Sequence, residues 1–323
     1  KALPCFMLRI RIPNGILNSS QLRTIADLTQ RHARGIADLT VRQTIQLHWV
    51  TIEALPEILE TLWQCGLNTM GACGDVTRNV TGCPVAGVDA DEICDASPLA
   101  LAATQALAGN PEFYNLPRKF KISITGCRVW CAYPEINDIG LTAITRTLNG
   151  KSETGFSLRV GGGLSAEPHL AARLNAFVRW NQVQPVITGI AELFRESTQL
   201  REHRERARLK FLFLKHGWTA DDFQKELEQR IGFHLDPAAP EPAPDDVYRD
   251  HIGIHGQKQP GYCYVGAAVL RGRITAEQMR NAADLADRFA SGELRTTNMQ
   301  NLLVVNVPRL QAESLAKELD AIG

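Results

Sequence analysis

The 323-residue sequence lacks the features that mark membrane, exported and nucleic-acid-binding proteins. No apolar run approaches the roughly 20 residues that a bilayer-spanning helix needs, and no signal-peptide pattern opens the chain. Lys and Arg total 35 and Asp and Glu total 35, so no net positive charge is available to hold nucleic acid. We therefore expect a cytoplasmic protein that has neither a membrane nor a nucleic acid as its partner.

Cysteine is too sparse for a disulfide scaffold, with eight residues in the whole chain. No two cysteines have the C-x2-C spacing of zinc ribbons, which argues against that type of site. Cys127 and Cys131 form a C-x3-C pair, whereas an iron–sulfur cluster needs about four well-placed thiolates. The pair is therefore an incomplete candidate for a metal site.

The N-terminal segment has the pattern of a strand–helix–strand–helix unit. Residues 6–13 alternate as a half-buried strand does, and Ser19 and Ser20 can cap the helix that follows. A second strand is predicted near residues 44–52, and it is followed by an amphipathic helix that Gly66 can end.

This unit occurs twice, because a shift of 257 residues aligns it with the end of the chain without a gap. Identical pairs include Gly15 and Gly272, Arg23 and Arg280, Asp27 and Asp284, Gln43 and Gln300, and Gly66 and Gly323. An ungapped series across a whole unit indicates an internal duplication.

Between the two copies, strand-like and helix-like segments indicate an α/β domain. The predicted strands are residues 120–125 and 156–160, and the predicted helices are residues 98–107 and 169–177. The resulting division is repeat A at 1–70, the α/β domain at 71–190, a helical segment with a Pro-rich linker at 191–245, and repeat B at 246–323.

Two charged or proline-rich stretches lie in the third of these segments. Residues 201–215 could be a basic helix for nucleic acid, but Glu202 and Glu205 interleave the cations, which favours a solvated helix. Residues 237–244 (PAAPEPAP) are typical of a stiff, extended linker.

One polar strand face distinguishes the two copies. In residues 39–49 the alternate positions Arg42, Thr44, Gln46 and His48 share a face, which by itself fits a sheet with one wet side. The equivalent face in the second copy is mostly apolar, with Met299, Asn301, Leu303 and Val305. This asymmetry favours a strand that faces a ligand.

Further cations could join Arg42 in a pocket for a small anion. Arg78 and Asn79 lie in a loop rich in glycine, where a solvent-exposed arginine is an equally good interpretation. Lys119 and Lys121 share a face at strand spacing, and two ammonium groups side by side repel each other unless they serve an anion.

A glycine-rich turn follows the predicted strand at 156–160. Residues 161–165 read GGGLS, whose N–H groups could bind carboxylates or phosphates, although a purely structural turn is the alternative. The segment is not a dinucleotide fingerprint, because Ala166 stands where that motif needs glycine.

Taken together and in order, these motifs resemble the sirohaem-dependent nitrite and sulfite reductases. The matching segments are LTVRQTIQLHW, GDVTRNV, NLPRKFK, VGGGLS, HIGIHGQKQPG and RTTNMQN. The resemblance implies an α+β fold, in which two ferredoxin-like βαβ repeats form one pseudo-twofold domain with an inserted α/β domain on the sirohaem side. It also implies sirohaem and, in the full-length protein, a [4Fe–4S] cluster.

The same resemblance implies roles for individual residues. The catalytic cations around the substrate would be Arg42, Arg78, Lys119 and Lys121. The residues that hold the macrocycle would be Gln43, Gln46, His48, Asn79, Gly161, Gly162, Gly163, Leu164, Ser165, Gln257, Thr297 and Gln300. The reaction implied is the six-electron reduction of sulfite to sulfide or nitrite to ammonia in sulfur or nitrogen assimilation. Electrons would come from a ferredoxin or a flavoprotein, and the protein would be a monomer.

The sequence departs from the family pattern in its cysteines. The family binds its cluster with a C-x5-C and a C-x3-C set in a second α/β domain, and this chain has no C-x5-C. We therefore interpret Cys127 and Cys131 as a relic or a local structural pair, and expect the natural protein to be longer and this piece alone to be inactive. Lys121 favours sulfite over nitrite, since a dianion gains more from a fourth cation. The alternative is a non-catalytic tetrapyrrole-binding scaffold protein.

Overall fold

The computed structural model describes residues 4–148, 150–245 and 250–323. Within these ranges the chain forms two compact units. The first unit contains residues 4–72, 88–90 and 250–323, and the second contains residues 73–87 and 91–245, apart from residue 149. The predicted boundary at residue 246 lies outside the described residues.

The described residues contain thirteen strands and eight α-helices. The strands are β1 (Phe6–Ile10), β2 (Ile16–Asn18), β3 (Ile36–Leu39), β4 (Ile45–Val50), β5 (Ile122–Thr125), β6 (Ile139–Leu148), β7 (Lys151–Val160), β8 (Ala172–Arg179), β9 (Gly253–Gly256), β10 (Tyr262–Ala267), β11 (Arg273–Thr275), β12 (Glu293–Thr296) and β13 (Leu302–Pro308). The helices are α1 (Ser19–His32), α2 (Leu55–Gln64), α3 (Ser97–Leu107), α4 (Val183–Glu196), α5 (Phe211–Lys215), α6 (Ala220–Ile231), α7 (Ala276–Phe289) and α8 (Ala312–Ala321).

The first unit is built from the two repeats, and each repeat contributes a strand to the sheet of the other. One sheet has the order β1-β4-β3-β11 and the second has the order β2-β12-β13-β10-β9. Strand β11 of the second copy pairs with β3 of the first, and β2 of the first copy pairs with β12 of the second. One continuous apolar core contains residues of both copies, including Ile25 and Met279, which are fully buried.

The long helices of the two copies, α1 and α7, begin at equivalent capping boxes. The side chain of Asn18 accepts from the N–H of Gln21, and Thr275 does the same for Gln278 in the second copy. The predicted cap at Ser19 and Ser20 is therefore wrong by one residue. Asn18 takes this role because an amide oxygen accepts the N–H of the third helical residue as well as a hydroxyl does.

The second unit contains a four-stranded sheet with the order β5-β6-β7-β8. The prediction of a helix over residues 169–177 is wrong, because residues 172–179 form strand β8. Leu174 and Ala176 are buried while Arg173 and Asn175 are exposed, which is the period of a strand, and Phe177 and Val178 at its end are both buried. The spacing of Leu170, Leu174 and Phe177 imitates a helical stripe, but Leu170 is 66% exposed.

Two further predictions in this unit are corrected. Residues 201–215 are not one solvated helix: a 3-10 turn ends at Arg201, a second spans Arg204–Arg206, and the short helix α5 follows. Arg208 and Lys210 are buried. The proline-rich stretch is not a free spacer. Ala239 is buried, and its carbonyl accepts from Arg173 Nη2 at 2.6 Å, so the stretch packs on the sheet.

Candidate functional site

A group of cations surrounds Lys119 in the second unit. The segment before β5 runs beside residues 76–78, where the Phe120 N–H donates to the Val76 carbonyl at 3.0 Å and the Arg78 N–H donates to the Phe120 carbonyl at 2.8 Å. This pairing brings Arg78 and Lys119 into the same region. Partial burial lowers the pKa of Lys119, and the positive charges of Arg208, Arg78 and Arg118 lower it further.

A buried carboxylate partly balances these charges. Asp138 is fully buried, and its Oδ2 accepts from Arg208 Nη2 at 2.9 Å and from the backbone N–H of Lys121 at 2.8 Å. The two lysines are thus fixed by main-chain contacts at Phe120 and Lys121. Sequence reasoning missed Asp138 and Arg208, because the arginine lay in a charge run that was interpreted as solvated.

Arg42 belongs to the first unit, where it occupies a turn. Strand β4 begins at Ile45, so the expected strand face contains Gln46 and His48 but neither Arg42 nor Thr44. The Arg42 backbone N–H donates to Thr40 Oγ1 at 3.3 Å, and its side chain is partly buried.

The remaining polar residues of that strand face contact charged groups of their own unit. With its amide oxygen towards the guanidinium, Gln46 accepts from Arg9 Nη2 and Nε at 2.5 and 2.9 Å. His48 Nε2 lies 2.9 Å from Asp38 Oδ2. The face is therefore polar, as expected, and its residues have partners within the sheet.

Three residues expected to hold a cofactor build the turns of the first unit. Gln43 is fully buried with a left-handed backbone (φ +56°), and its Nε2 donates to the carbonyls of Asn14 and Thr296 at 3.2 Å. Gln300 (φ +64°) donates from Nε2 to the Leu39 carbonyl at 2.9 Å.

The third of these residues, Thr297, stabilises the turn that contains Gln300. Its Oγ1 accepts from the N–H groups of Met299 and Asn301 at 3.1 and 3.0 Å. Thr40 does the same in the first copy, so this contact belongs to the repeat. Gln257 also has its partner within the first unit. Its Nε2 donates to Asn306 Oδ1, and its Oε1 accepts from the Asn306 N–H.

The glycine-rich turn at residues 161–163 does not offer its N–H groups to an anion. They donate to the main-chain carbonyls of Asp138, Asn137 and His169 at 2.9, 2.8 and 2.9 Å. These three N–H groups therefore stabilise the turn itself, and a role of the segment in holding a cofactor stays a prediction. Glycine is required at 162 for another reason, since a Cβ there would lie 2.3 Å from the Glu135 carbonyl oxygen.

The same turn is held from its carbonyl side by a buried lysine. Lys210 Nζ donates to the carbonyls of Gly163 and Leu164 at 3.2 and 3.1 Å, and also contacts the carbonyl of Glu167. Leu164 is 55% exposed, and Ser165, whose backbone is left-handed (φ +98°), is exposed as well. Both therefore lie at the outer end of the turn.

Two of the buried polar atoms that lack a hydrogen-bond partner within the described part of the chain lie beside residues expected at the site. One is Thr77 Oγ1, next to Arg78 in the second unit, and the other is Asn298 Oδ1, next to Thr297 in the first. Both side chains are at least 96% buried. Asn79, which was expected at the site, is also buried. A buried hydroxyl or amide without a partner is costly unless a ligand satisfies it.

Three thiols meet at the end of β5. Cys127 Sγ lies 3.4 Å from Cys131 Sγ and 3.1 Å from Thr125 Oγ1, and the Cys83 thiol hydrogen-bonds with both other cysteines. Hydrogen bonds from the Cys131 and Cys83 thiols hold the pKa of Cys127 well below its usual value. The pKa of Cys83 is raised well above its usual value, because its proton is held by those same contacts. The predicted Cys127–Cys131 pair thus has a third member that sequence spacing did not indicate.

Both units match models of one protein family. Residues 73–235 match the nitrite and sulphite reductase 4Fe-4S domain, and residues 4–64 and 255–322 match the nitrite/sulfite reductase ferredoxin-like half domain. The chain belongs to the nitrite and sulfite reductase family. The predicted α+β fold with ferredoxin-like repeats is confirmed, and the family match suggests an iron–sulfur cofactor.

Family members named as nitrite reductases and others named as sulfite reductases are similar to the chain. An assimilatory ferredoxin-dependent nitrite reductase of Haloferax mediterranei is 39% identical over 97% of the chain and 57% of the relative. A ferredoxin sulfite reductase of Mycolicibacterium paratuberculosis is 35% identical over 98% of the chain and 56% of the relative. The structure of Mycobacterium tuberculosis NirA protein superposes with a TM-score of 0.91 at 36% identity, covering 99% of the chain and 57% of that protein. The chain thus spans a little over half the length of these family members. No helix in its described residues has the length and apolar character to cross a bilayer.

Proposed function

We propose that the protein containing this chain reduces a small oxyanion by six electrons, with sulfite as the favoured substrate, and that sirohaem is its cofactor. The observation that carries this proposal is the group of cations around Lys119, where Arg78, Arg118 and Arg208 lower the pKa of a partly buried lysine. Arg208 and Arg118 are each paired with a carboxylate, Asp138 and Asp75, and their positive charges still lower the pKa of Lys119. An anionic ligand would relieve their repulsion.

Sirohaem carries several carboxylates, and the residues of the second unit fit such a ligand. Arg78 and Lys119 supply positive charge, and the buried hydroxyl of Thr77 lacks a hydrogen-bond partner within the described residues. Asn79 and Lys121 would complete this donor set. When bound, the group would supply the iron that accepts electrons and coordinates the oxyanion.

In the first unit, the proposed roles of the expected residues differ from one another. Arg42, Gln46 and His48 remain our candidates for ligand contacts, because the second repeat replaces them with apolar residues. Gln43 and Gln300 make reciprocal hydrogen bonds that belong to the fold, so we propose that they shape the turns and act on the cofactor only by positioning.

The cations would perform two tasks during turnover. Arg42, Arg78, Lys119 and Lys121 would neutralise the bound oxyanion, and the two lysines would donate protons as oxygen leaves as water. A lowered pKa suits Lys119 to this task, because its ammonium group releases a proton more readily than an ordinary lysine does. Asp138 would hold Lys121 in place through the backbone contact.

The proposal also names a substrate and an electron donor. Sulfite is favoured by the charge of Lys121, since a dianion gains more than nitrite from an added cation. Nitrite is the second candidate, and it is favoured by the nitrite reductases of Haloferax mediterranei and Leptolyngbya laminosa, which are 39% and 41% identical to this chain. We propose a ferredoxin as the donor, because these relatives are named as ferredoxin-dependent.

The experiment is to replace Lys119 and Lys121 by Met, singly, in the full-length protein. We expect kcat for sulfite reduction to fall on the order of 100-fold or more in each variant, while the sirohaem absorption spectrum is retained. Lys151→Met is the matched control, since this lysine is exposed on β7. Unchanged reduction of both sulfite and nitrite in the two variants would contradict the catalytic proposal and favour a scaffold protein that only binds tetrapyrrole.

We also propose that residues 1–323 alone do not catalyse the reaction. The sequence contains no C-x5-C segment, so it lacks a full set of cluster thiolates in the spacing that the family uses. A reductase assay of this piece with dithionite-reduced methyl viologen should show no production of sulfide or ammonia. Turnover by the piece at the rate of the full-length protein would refute the proposal.

A further inference from the structure

The cysteine cluster of the second unit is formed by two chain segments that the sheet brings together. The Ile124 N–H donates to the Thr81 carbonyl at 2.9 Å, so the segment that leads to Cys83 runs beside β5. Cys127 follows two residues after β5, and Cys131 follows in the next turn. None of the three cysteines belongs to the proposed catalytic set.

The loop that bears Cys127 and Cys131 has a specific conformation. Trp130 and Tyr133 both have left-handed backbones, at φ +50° and +49°. Gly126 lies so close to the Cys94 carbonyl oxygen that a Cβ would be 1.8 Å from it. Ser123 Oγ donates to the Ala132 carbonyl at 3.1 Å and anchors the far end of the loop. A loop held in this way keeps its two sulfurs in place.

Two of the three sulfur pairs are spaced as ligands to one metal ion are. A tetrahedral zinc with Zn–S bonds of about 2.3 Å places its thiolates about 3.8 Å apart. Here Cys127 Sγ and Cys131 Sγ are 3.4 Å apart, and Cys83 Sγ and Cys131 Sγ are within 4.8 Å. A four-iron cluster binds each thiolate through a different iron and needs a wider separation, so the three thiols do not fit that group.

The surroundings of the cluster also suit a bound ion. Cys83 and Cys127 are each 1% exposed, whereas Cys131 is partly exposed and gives a path from solvent. The backbone N–H of Cys131 donates to Cys127 Sγ, and such a contact stabilises a thiolate in a metal site.

We propose that Cys83, Cys127 and Cys131 bind a single thiophilic metal ion, of the zinc class, through three thiolates. The site is additional to the sirohaem and cluster chemistry of the family. Three thiolates leave the fourth position of a tetrahedral ion for a further ligand.

The test is metal titration of the reduced 323-residue chain after removal of bound metal with a chelator. We expect one equivalent of zinc to bind, and one equivalent of cobalt(II) to give the intense near-ultraviolet band of thiolate-to-cobalt charge transfer. The variant in which all three residues are Ser should lose both, and each single variant should weaken zinc binding on the order of 100-fold or more. The matched control replaces Cys5, Cys65 and Cys73 with Ser, which removes the same number of thiols from outside the cluster.

Several results would overturn the proposal. They are binding of less than a tenth of an equivalent by the reduced wild-type chain, equal binding by the cluster variant, and a cobalt spectrum without the charge-transfer band. Iron with acid-labile sulfide that is lost in the cluster variant would show an iron–sulfur cluster instead. The cobalt spectrum of the wild-type chain does not depend on whether a variant folds, and circular dichroism checks each variant separately.

Discussion

Arg23 of helix α1 forms an ion pair with Asp284 of helix α7, with Nε and Nη2 at 2.9 and 2.6 Å from Oδ1. The same pair is repeated in the opposite direction, since Arg280 binds Asp27 at 3.0 and 2.9 Å. Arg23 is equivalent to Arg280 and Asp27 to Asp284 at the shift of 257 residues. The two helices therefore meet in the reciprocal way that is typical of a twofold interface between identical subunits.

These ion pairs are expected to contribute little to stability. The side chains are 36–66% exposed, and exposed pairs contribute roughly 0–1 kcal/mol each because water screens them. Arg23→Ala and Arg280→Ala should each lower the free energy of unfolding by less than about 1 kcal/mol in urea denaturation. A loss several times larger in either variant would show that the pairs hold the repeats together.

The two turn glutamines should matter more, because Gln43 is fully buried and Gln300 is partly buried. Gln43 donates to Thr296 of the second copy, and Gln300 donates to Leu39 of the first. Gln43→Ala and Gln300→Ala leave buried carbonyls without these donors, at a cost of about 1–3 kcal/mol each. Denaturation in urea measures the loss, and the exposed Gln64→Ala is the control. If both glutamines could be replaced without loss of stability, their proposed role in the fold would be wrong.

The duplication explains which parts of the site could be predicted from the sequence. Residues that match between copies, such as Gln43 and Gln300, turn out to build turns that both copies need. Residues that differ, such as Arg42 against Met299 and His48 against Val305, are the ones that the repeat fold does not require. Identity between the copies thus indicates a structural role, and the sequence alone reveals it.

Other parts of the site could not be predicted, since they depend on contacts between distant residues. Asp138 and Arg208 are 70 residues apart, and nothing in their local pattern indicates a buried pair. Cys83 joins Cys127 and Cys131 only because its segment runs beside β5. Strand β8 was mistaken for a helix because Leu170, Leu174 and Phe177 have helical spacing, whereas Leu174, Ala176 and Val178 have the spacing of a strand.

Replacing Gly272 is expected to be costly, for reasons of space as well as of backbone conformation. Its φ is +69°, and a Cβ would lie 2.6 Å from Gln300 Nε2 and 2.7 Å from the Leu39 carbonyl oxygen. Gly217 has nearly the same φ, +71°, with no atom within 4 Å of a Cβ. Gly217→Ala should therefore cost only the conformational strain of about 1–2 kcal/mol.

Gly272→Ala should cost the same strain and roughly 1–3 kcal/mol more, because the added methyl group displaces its neighbours. Thermal and urea unfolding of the two variants measure the difference directly. Equal destabilisation of Gly217→Ala and Gly272→Ala would show that the close approach to Leu39 and Gln300 can relax without cost.

The proline-rich stretch should make stability depend on pH through Glu241. This carboxylate is 6% exposed, accepts from Thr142 Oγ1 at 2.7 Å and Arg159 Nη1 at 2.9 Å, and lies 3.3 Å from Arg173 Nε. Burial by itself raises the pKa of Glu241, but the hydrogen bonds from Arg159 and Thr142 outweigh it and lower the pKa below 4.5. A lowered carboxyl pKa stabilises the folded state above the unfolded pKa, and this stabilisation is lost as the pH falls through the folded pKa.

Glu241→Gln should therefore destabilise the chain at neutral pH, by roughly 3 kcal/mol, because Arg159 remains buried without its partner. The difference from wild type should persist above the usual glutamate pKa and shrink as the pH falls through the lowered pKa of Glu241, because the wild-type carboxyl is then protonated. Urea denaturation across this range measures the difference, with the exposed Glu202→Gln as the control. A difference between Glu241→Gln and wild type that stayed constant from neutral pH to the onset of acid unfolding would mean that the charge of Glu241 contributes nothing to stability.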